Sequence, residues 1–235
     1  VQSIGQKPYK SMIEQAYLAG ERSTTSLTDK TRRLGIRANP KARVYGLPLI
    51  ASHVGADTAA ALVAMDMAAQ KETVMLIDVG TNTEVVIGHA GRMLAASCPA
   101  GPAFEGGLIK YGMPGYDGAV ESVRWVDGQF EYDTIGDTQP HGLCGSGLID
   151  LLAELRRHDQ MAPKGVFADK KQYELIVIPE YGITLSREDA SNLAQAKAAN
   201  YCGQFILIRH FGISPLDITA VSYTHLRAHE TRHDR

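Results

Sequence analysis

Apolar and polar positions change period along this chain, and each change marks an element. The densest signal runs from Met75 to Gly88. An apolar run through Val79 meets a short polar stretch, Gly80-Thr81-Asn82-Thr83, and then a second apolar run at Val85-Val86-Ile87. That pattern predicts a buried strand, a tight turn and a second strand. Gly91-Arg92 predicts another turn into a strand over 93–97. Residues 120–126 and 129–135 flank Asp127-Gly128, a strong two-residue hairpin signal. Further on the period lengthens. Leu148, Leu151, Leu152 and Leu155 recur at helical spacing, with Asp150, Glu154 and Arg157 on the other side. This predicts an amphipathic helix opened by Gly145-Ser146-Gly147.

Weaker patterns fill in the rest. Residues 44–50 read as a short strand ended by turn chemistry; Val54-Gly55-Ala56-Asp57-Thr58 follows, and then an Ala-rich run through Ala69 has strong helix propensity. Its small side chains would let another backbone approach closely. A short strand is predicted at Leu175 to Ile178. Ser186-Arg187-Glu188-Asp189 then supplies an N-cap and an acidic first turn for a helix running to Phe211, with Gly212 as its stop. Thr219 to Val221 reads as a last buried strand. Residues 98–118, rich in Gly and Pro, form a loop long enough to be functional or mobile.

The two ends differ from the middle. Residues 1–42 are polar and mixed, with Lys30, Arg32 and Arg33 reading as a solvated helix face. The chain starts at Val1 without an initiator Met or a signal-peptide pattern, which predicts a piece of a longer protein. Beyond Val221 apolar residues almost vanish. His225, His229 and His233, four apart, would share a helix face and mimic a metal site. With no apolar stripe to hold that face rigid, a disordered tail over 222–235 is the better reading. The tail resembles translated adapter read-through, so a non-native end is expected there.

Composition excludes several function classes. With 44% apolar and 21% charged residues, the 235-residue chain is an ordinary globular protein able to bury a sizeable core. A net charge of −2, with the basic residues dispersed, points away from nucleic acid and anionic membranes. No apolar run reaches membrane-spanning length. The three cysteines, Cys98, Cys144 and Cys202, lie far apart with no C-x-x-C pair. They support neither a zinc ribbon, an iron–sulfur cluster nor a disulfide scaffold within these residues, and fit a reducing cytoplasm.

Candidate chemistry sits on the two glycine-containing turns. The 80–83 turn offers backbone N–H groups and three small polar side chains beside the carboxylate of Asp78, equipment suited to a phosphate and its magnesium. An ordinary hairpin turn would carry the same residues. No P-loop is present, and Asp150 stands where a dinucleotide fingerprint needs its third glycine. The helix start at Gly145 still suits an anion, because its first N–H groups lack internal partners. Equally, its glycines fit close packing alone.

Five blocks in order resemble the actin-like ATPase superfamily, and within it the C-terminal domain of reductive activators of corrinoid proteins. They are Ala42 to Pro48, Val54 to Ala60, Leu76 to Glu84, Ala100 to Gly106, and Cys144 to Asp150. The resemblance implies an α/β, ribonuclease H-like fold, a mixed sheet flanked by helices, here incomplete. It divides the chain into a lead-in over 1–42, the second half of an actin-like domain over 43–221, and the tail. It implies an ATP cleft between two halves, with Asp78 to Thr83 as the second phosphate hairpin. Asp78 would partner magnesium or its water and act as the catalytic residue. Gly80, Thr81, Asn82 and Thr83 would hold phosphates, and Gly145, Ser146 and Gly147 would line the nucleotide side. Gly101, Pro102, Glu105 and Gly106 would serve the cleft or the partner surface.

Three parts of the family's pattern are absent: the first phosphate hairpin, the glycine-rich adenosine segment and the cysteine-bearing ferredoxin-like module. Cys98 stands where relatives carry Ser or Thr, and reads as a small core residue. The function implied is ATP-driven reduction of an oxidised cobalt corrinoid in a methyltransferase system. Its cofactors would be ATP and Mg2+, with an iron–sulfur cluster only in the absent module, and its partners a corrinoid protein and a second copy in a homodimer. Two alternatives are a small-metabolite kinase with the same cleft, and a non-catalytic interaction or dimerisation domain that binds ATP poorly.

Overall fold

The computed structural model describes residues 27–31, 35–46, 48–51 and 54–224. The expectations for Arg32, Arg33, Leu47, most of the lead-in, and His225, His229 and His233 lie outside the described residues. In chain order, β1 (Leu27–Lys30) pairs antiparallel with β2 (Arg43–Gly46), and α1 (Ala56–Ala64) follows. Next come β3 (Thr73–Val79), β4 (Thr83–His89) and β5 (Arg92–Cys98), then β6 (Ala119–Val126), β7 (Gln129–Thr134) and the two-residue β8 (Gly142–Leu143). The chain continues through α2 (Gly145–Arg157), β9 (Glu174–Ile178), β10 (Ile183–Ser186), the 25-residue α3 (Arg187–Phe211) and β11 (Ile218–Thr224).

The principal sheet has the order β11-β3-β4-β5, with β11 parallel to β3 and the other pairs antiparallel. All seven residues of β3 are buried, because both of its faces are covered. Met75, Ile77, Val79, Val85 and Ile87 pack with Leu207 and Phe211 of α3. On the other face Val74, Leu76 and Val86 pack with Met67 and with Ala61 and Leu62 of α1. A second sheet, β7-β6-β8, joins α2 and the β9–β10 hairpin around a separate core. The long helix ties the two together: Ala190, Leu193 and Ala196 belong to the second core, and Leu207 and Phe211 to the first.

Local chemistry explains the boundaries. Ser186 caps α3 in a reciprocal box. Its hydroxyl accepts from the Asp189 N–H, and the Asp189 carboxylate accepts from the Ser186 N–H at 2.8 Å. Gly212 closes the helix in the left-handed region at φ 83°. Asp127 and Gly128, at φ 48° and 88°, make the tight β6–β7 turn.

Five expectations need correction. Lys30 ends strand β1, opposite Arg43, and lies on no helix face. The Ala-rich helix stops at Ala64, since Asp66 turns left-handed (φ 48°) and drops the buried Met67 beside Gly88. Of the two readings of the 98–118 loop, functional or mobile, its anchoring speaks against the second. Asp189 accepts from the Lys110 N–H at 2.8 Å, and Met113 and Tyr111 both bond backbone to backbone with Leu143. β10 is a strand the sequence reading did not include. Finally, β11 runs to Thr224, three residues past Val221, in parallel register with β3.

Candidate functional site

Asp78 is the penultimate residue of β3 and is 4% exposed. Val79 pairs with Thr83, so Gly80, Thr81 and Asn82 form the turn between the strands. Thr81 and Asn82 are exposed and Gly80 is half-buried. A Cβ on Gly80 would stand 3.2 Å from the Asn82 carbonyl and 3.4 Å from Glu105 Oε1, so glycine relieves crowding here.

Sheet register sorts the motif onto two faces. Directly opposed residues share a face, so Asp78, its partner Glu84 and the next partner Ser97 line up across three strands on the α1 side. Ser97 Oγ donates to Glu84 Oε1 at 2.9 Å. The Thr224 hydroxyl donates to Asp78 Oδ1. Burial pushes the Glu84 carboxyl up to about 7; the Ser97 hydrogen bond opposes that rise, and the Asp78 and Asp57 charges add to it. Thr83 lies on the opposite face with Val79 and Cys98. It is fully buried, and its hydroxyl has no hydrogen-bond partner. The structure therefore presents Thr81 and Asn82 outward and takes Thr83 inward.

Two consecutive residues bring the loop over 98–107 against both predicted turns. The short helical turn Pro102–Glu105 places the Phe104 carbonyl 2.4 Å from where a Cβ on Gly145 would be. The next residue, Glu105, accepts from the Thr81 N–H at 3.1 Å through Oε1 and from the Thr81 hydroxyl through Oε2. Gly101 donates its N–H to the Thr81 carbonyl at 2.8 Å, from a backbone conformation (φ 80°, ψ 166°) that is essentially restricted to glycine. Pro102 starts the turn, and Gly106 ends it left-handed at φ 83°. Glu105 thus belongs to the hairpin, a placement the sequence left open.

The Gly145-Ser146-Gly147 start of α2 has a packing reason. A Cβ on Gly147 would lie 2.1 Å from the Val120 carbonyl, so only glycine seats α2 on β6. Ser146 is half-buried, with its Oγ 3.3 Å from Cys144 Sγ. The sequence pattern alone does not single out Glu84. Hairpin register supplies the signal, since it lies directly across the hairpin from Asp78.

The donor set fits a magnesium-bound polyphosphate. Asp78 supplies a hard oxygen, and Thr81 and Asn82 supply donors at an exposed turn. Among the described residues no three His, Cys, Asp or Glu side chains converge as a metal site. A magnesium here would draw most of its oxygens from phosphate and water.

Residues 72–224 match the family described as the C-terminal domain of RACo, the ASKHA domain, and residues 1–70 match the RACo middle region. The corrinoid activation enzyme RamQ of Eubacterium limosum is 32% identical across 78% of this chain and 34% of its own length. The [Co(II) methylated amine-specific corrinoid protein] reductase of Methanosarcina barkeri is 26% identical across 88% of this chain and 43% of its own length. A solved reductive activator for corrinoid, iron–sulfur protein superposes with a TM-score of 0.75 at 32% identity, over 83% of this chain and 34% of that one. The chain therefore spans less than half the length of these relatives.

Proposed function

The chain belongs to the family of the RACo C-terminal ASKHA domain, and from that premise we propose that it forms one wall of the ATP cleft in a reductive activator of a corrinoid protein. One observation carries the reading: β3, buried along its whole length, ends in the buried Asp78 and delivers the exposed turn Gly80-Thr81-Asn82. In this reading Thr81 and Asn82 donate to phosphate oxygens, and Asp78 holds magnesium or orients its water. Thr83, buried on the opposite face, is assigned no phosphate contact. The start of α2 at Gly145 and Ser146 sits beside the Phe104–Glu105 segment and lines the nucleotide side.

ATP supplies the free energy when bound, and the protein converts it through unequal affinity for nucleotide in two conformations. Reduction of the corrinoid needs an electron from a redox centre. The iron–sulfur cluster implied by the resemblance belongs outside these 235 residues, so this domain gates the transfer and does not carry it. A corrinoid protein as partner, a homodimeric assembly and a cytoplasmic location complete the proposal. The three free thiols, Cys98, Cys144 and Cys202, suit a reducing compartment.

ATP turnover by the longer protein that contains this chain tests the reading. Stimulation by an oxidised corrinoid protein with no small acceptor present is the expected result. Turnover that requires a sugar or a carboxylic acid would instead identify a phosphotransferase.

A further inference from the structure

The donors assigned to a phosphate already hold an anion. Glu105 accepts from both the N–H and the hydroxyl of Thr81, a two-point grip on one carboxylate. Its Oε1 also sits 3.4 Å from where a Cβ on Gly80 would stand, so the carboxylate lies over the turn itself. Glu105 is exposed, and its immediate neighbours are small: Gly106 and Gly107 follow it, and Gly101 and Pro102 open the turn that carries it. A phosphate oxygen would need the same two donors. Two anions cannot share those two donors, and their like charges repel.

We propose that Glu105 is an internal occupant of the phosphate site: its carboxylate holds the Thr81 donors, and a nucleotide phosphate must displace it to bind. This rests on the nucleotide reading of the hairpin and adds a regulatory element to it. The arrangement links binding to movement of the 98–107 loop. Glu105 is covalently next to Phe104, whose carbonyl abuts Gly145, so releasing the carboxylate frees the 102–105 turn that bridges the hairpin to α2. The grip thereby sets a threshold. A ligand with one weak acceptor leaves Glu105 in place, whereas a magnesium-bound polyphosphate outcompetes it.

The test is a titration of the longer protein that contains this chain, 15N-labelled at Thr and Asn, with Mg-ATP, read at the Thr81 and Asn82 amides, for the parent and for Glu105→Gln and Glu105→Ala. Removing the competing charge should lower the dissociation constant by roughly 3-fold or more in both variants. Before any nucleotide is added, the Thr81 amide should already differ between the parent and Glu105→Ala, reporting loss of the grip, whereas Glu105→Gln keeps an acceptor oxygen and loses only the charge. Weaker or unchanged binding in both variants overturns the proposal and leaves the nucleotide reading intact, because Glu105 would then be a ligand or a bystander. If millimolar Mg-ATP moves neither amide in any of the three proteins, the nucleotide reading fails and takes this proposal with it.

Discussion

Glu84 and Asp78 face one another across β3 and β4, and their closeness has a cost that depends on pH. Burial raises the Glu84 carboxyl from 4.5 to about 7, so the folded protein binds its proton more tightly than the unfolded chain does. The stabilising contribution is complete below the unfolded value, and it is lost as pH climbs through about 7. Between those limits the folded state carries the proton and the unfolded state does not, so stability must fall as pH rises. Thermal unfolding midpoints from pH 5 to 8 should show that decline, and Glu84→Gln should flatten it. An equal slope in parent and variant would assign the decline to other groups. Partial exposure of the site keeps the effect modest.

Close backbone approach and capping decide which elements hold. Gly147→Ala forces a methyl onto the Val120 carbonyl, a backbone atom that cannot step aside, so α2 must lift from β6. We expect a loss of about 2–3 kcal/mol in denaturant unfolding. Asp189 is 3% exposed and accepts from the Ser186 N–H, the Ser186 hydroxyl and the Lys110 N–H. Asp189→Ala removes the carboxylate half of the α3 capping box and the Lys110 anchor of the 99–118 loop, while the Ser186 hydroxyl still caps the residue-189 N–H, at a cost of about 2–3 kcal/mol by the same measurement. A loss below about 0.5 kcal/mol would mean the cap is dispensable. Elements of this kind were readable in the sequence, because caps and alternation are local signals. The Ser186 cap, the Gly212 stop and the Asp127-Gly128 turn all lie where those residues predict. β10 was not readable: four residues, the last of them the N-cap Ser186, are too few to show a period. The end of α1 escaped as well, since it depends on Met67 finding a hole beside Gly88, a tertiary event.

At the scale of the whole molecule, the sheet delivers the hairpin to a place where a loop from the second core reaches it. Sequence named Asp78, the turn and the 98–107 loop as candidates, and register alone explains why Asp78 and Thr83 diverge to opposite faces. It could not show Glu105 on Thr81, because 24 residues and two strands separate them. A cleft formed by two walls needs both for tight binding, so this chain alone should bind Mg-ATP no tighter than about 0.1 mM by calorimetry. Micromolar affinity would contradict a one-wall site. The most direct test of the account is a crystal structure of the chain grown with magnesium and a non-hydrolysable ATP analogue. It should show phosphate oxygens about 3 Å from Thr81 and Asn82, with magnesium reached by Asp78 directly or through one water. Phosphates bound elsewhere, with nothing over the Gly80–Asn82 turn, would contradict it.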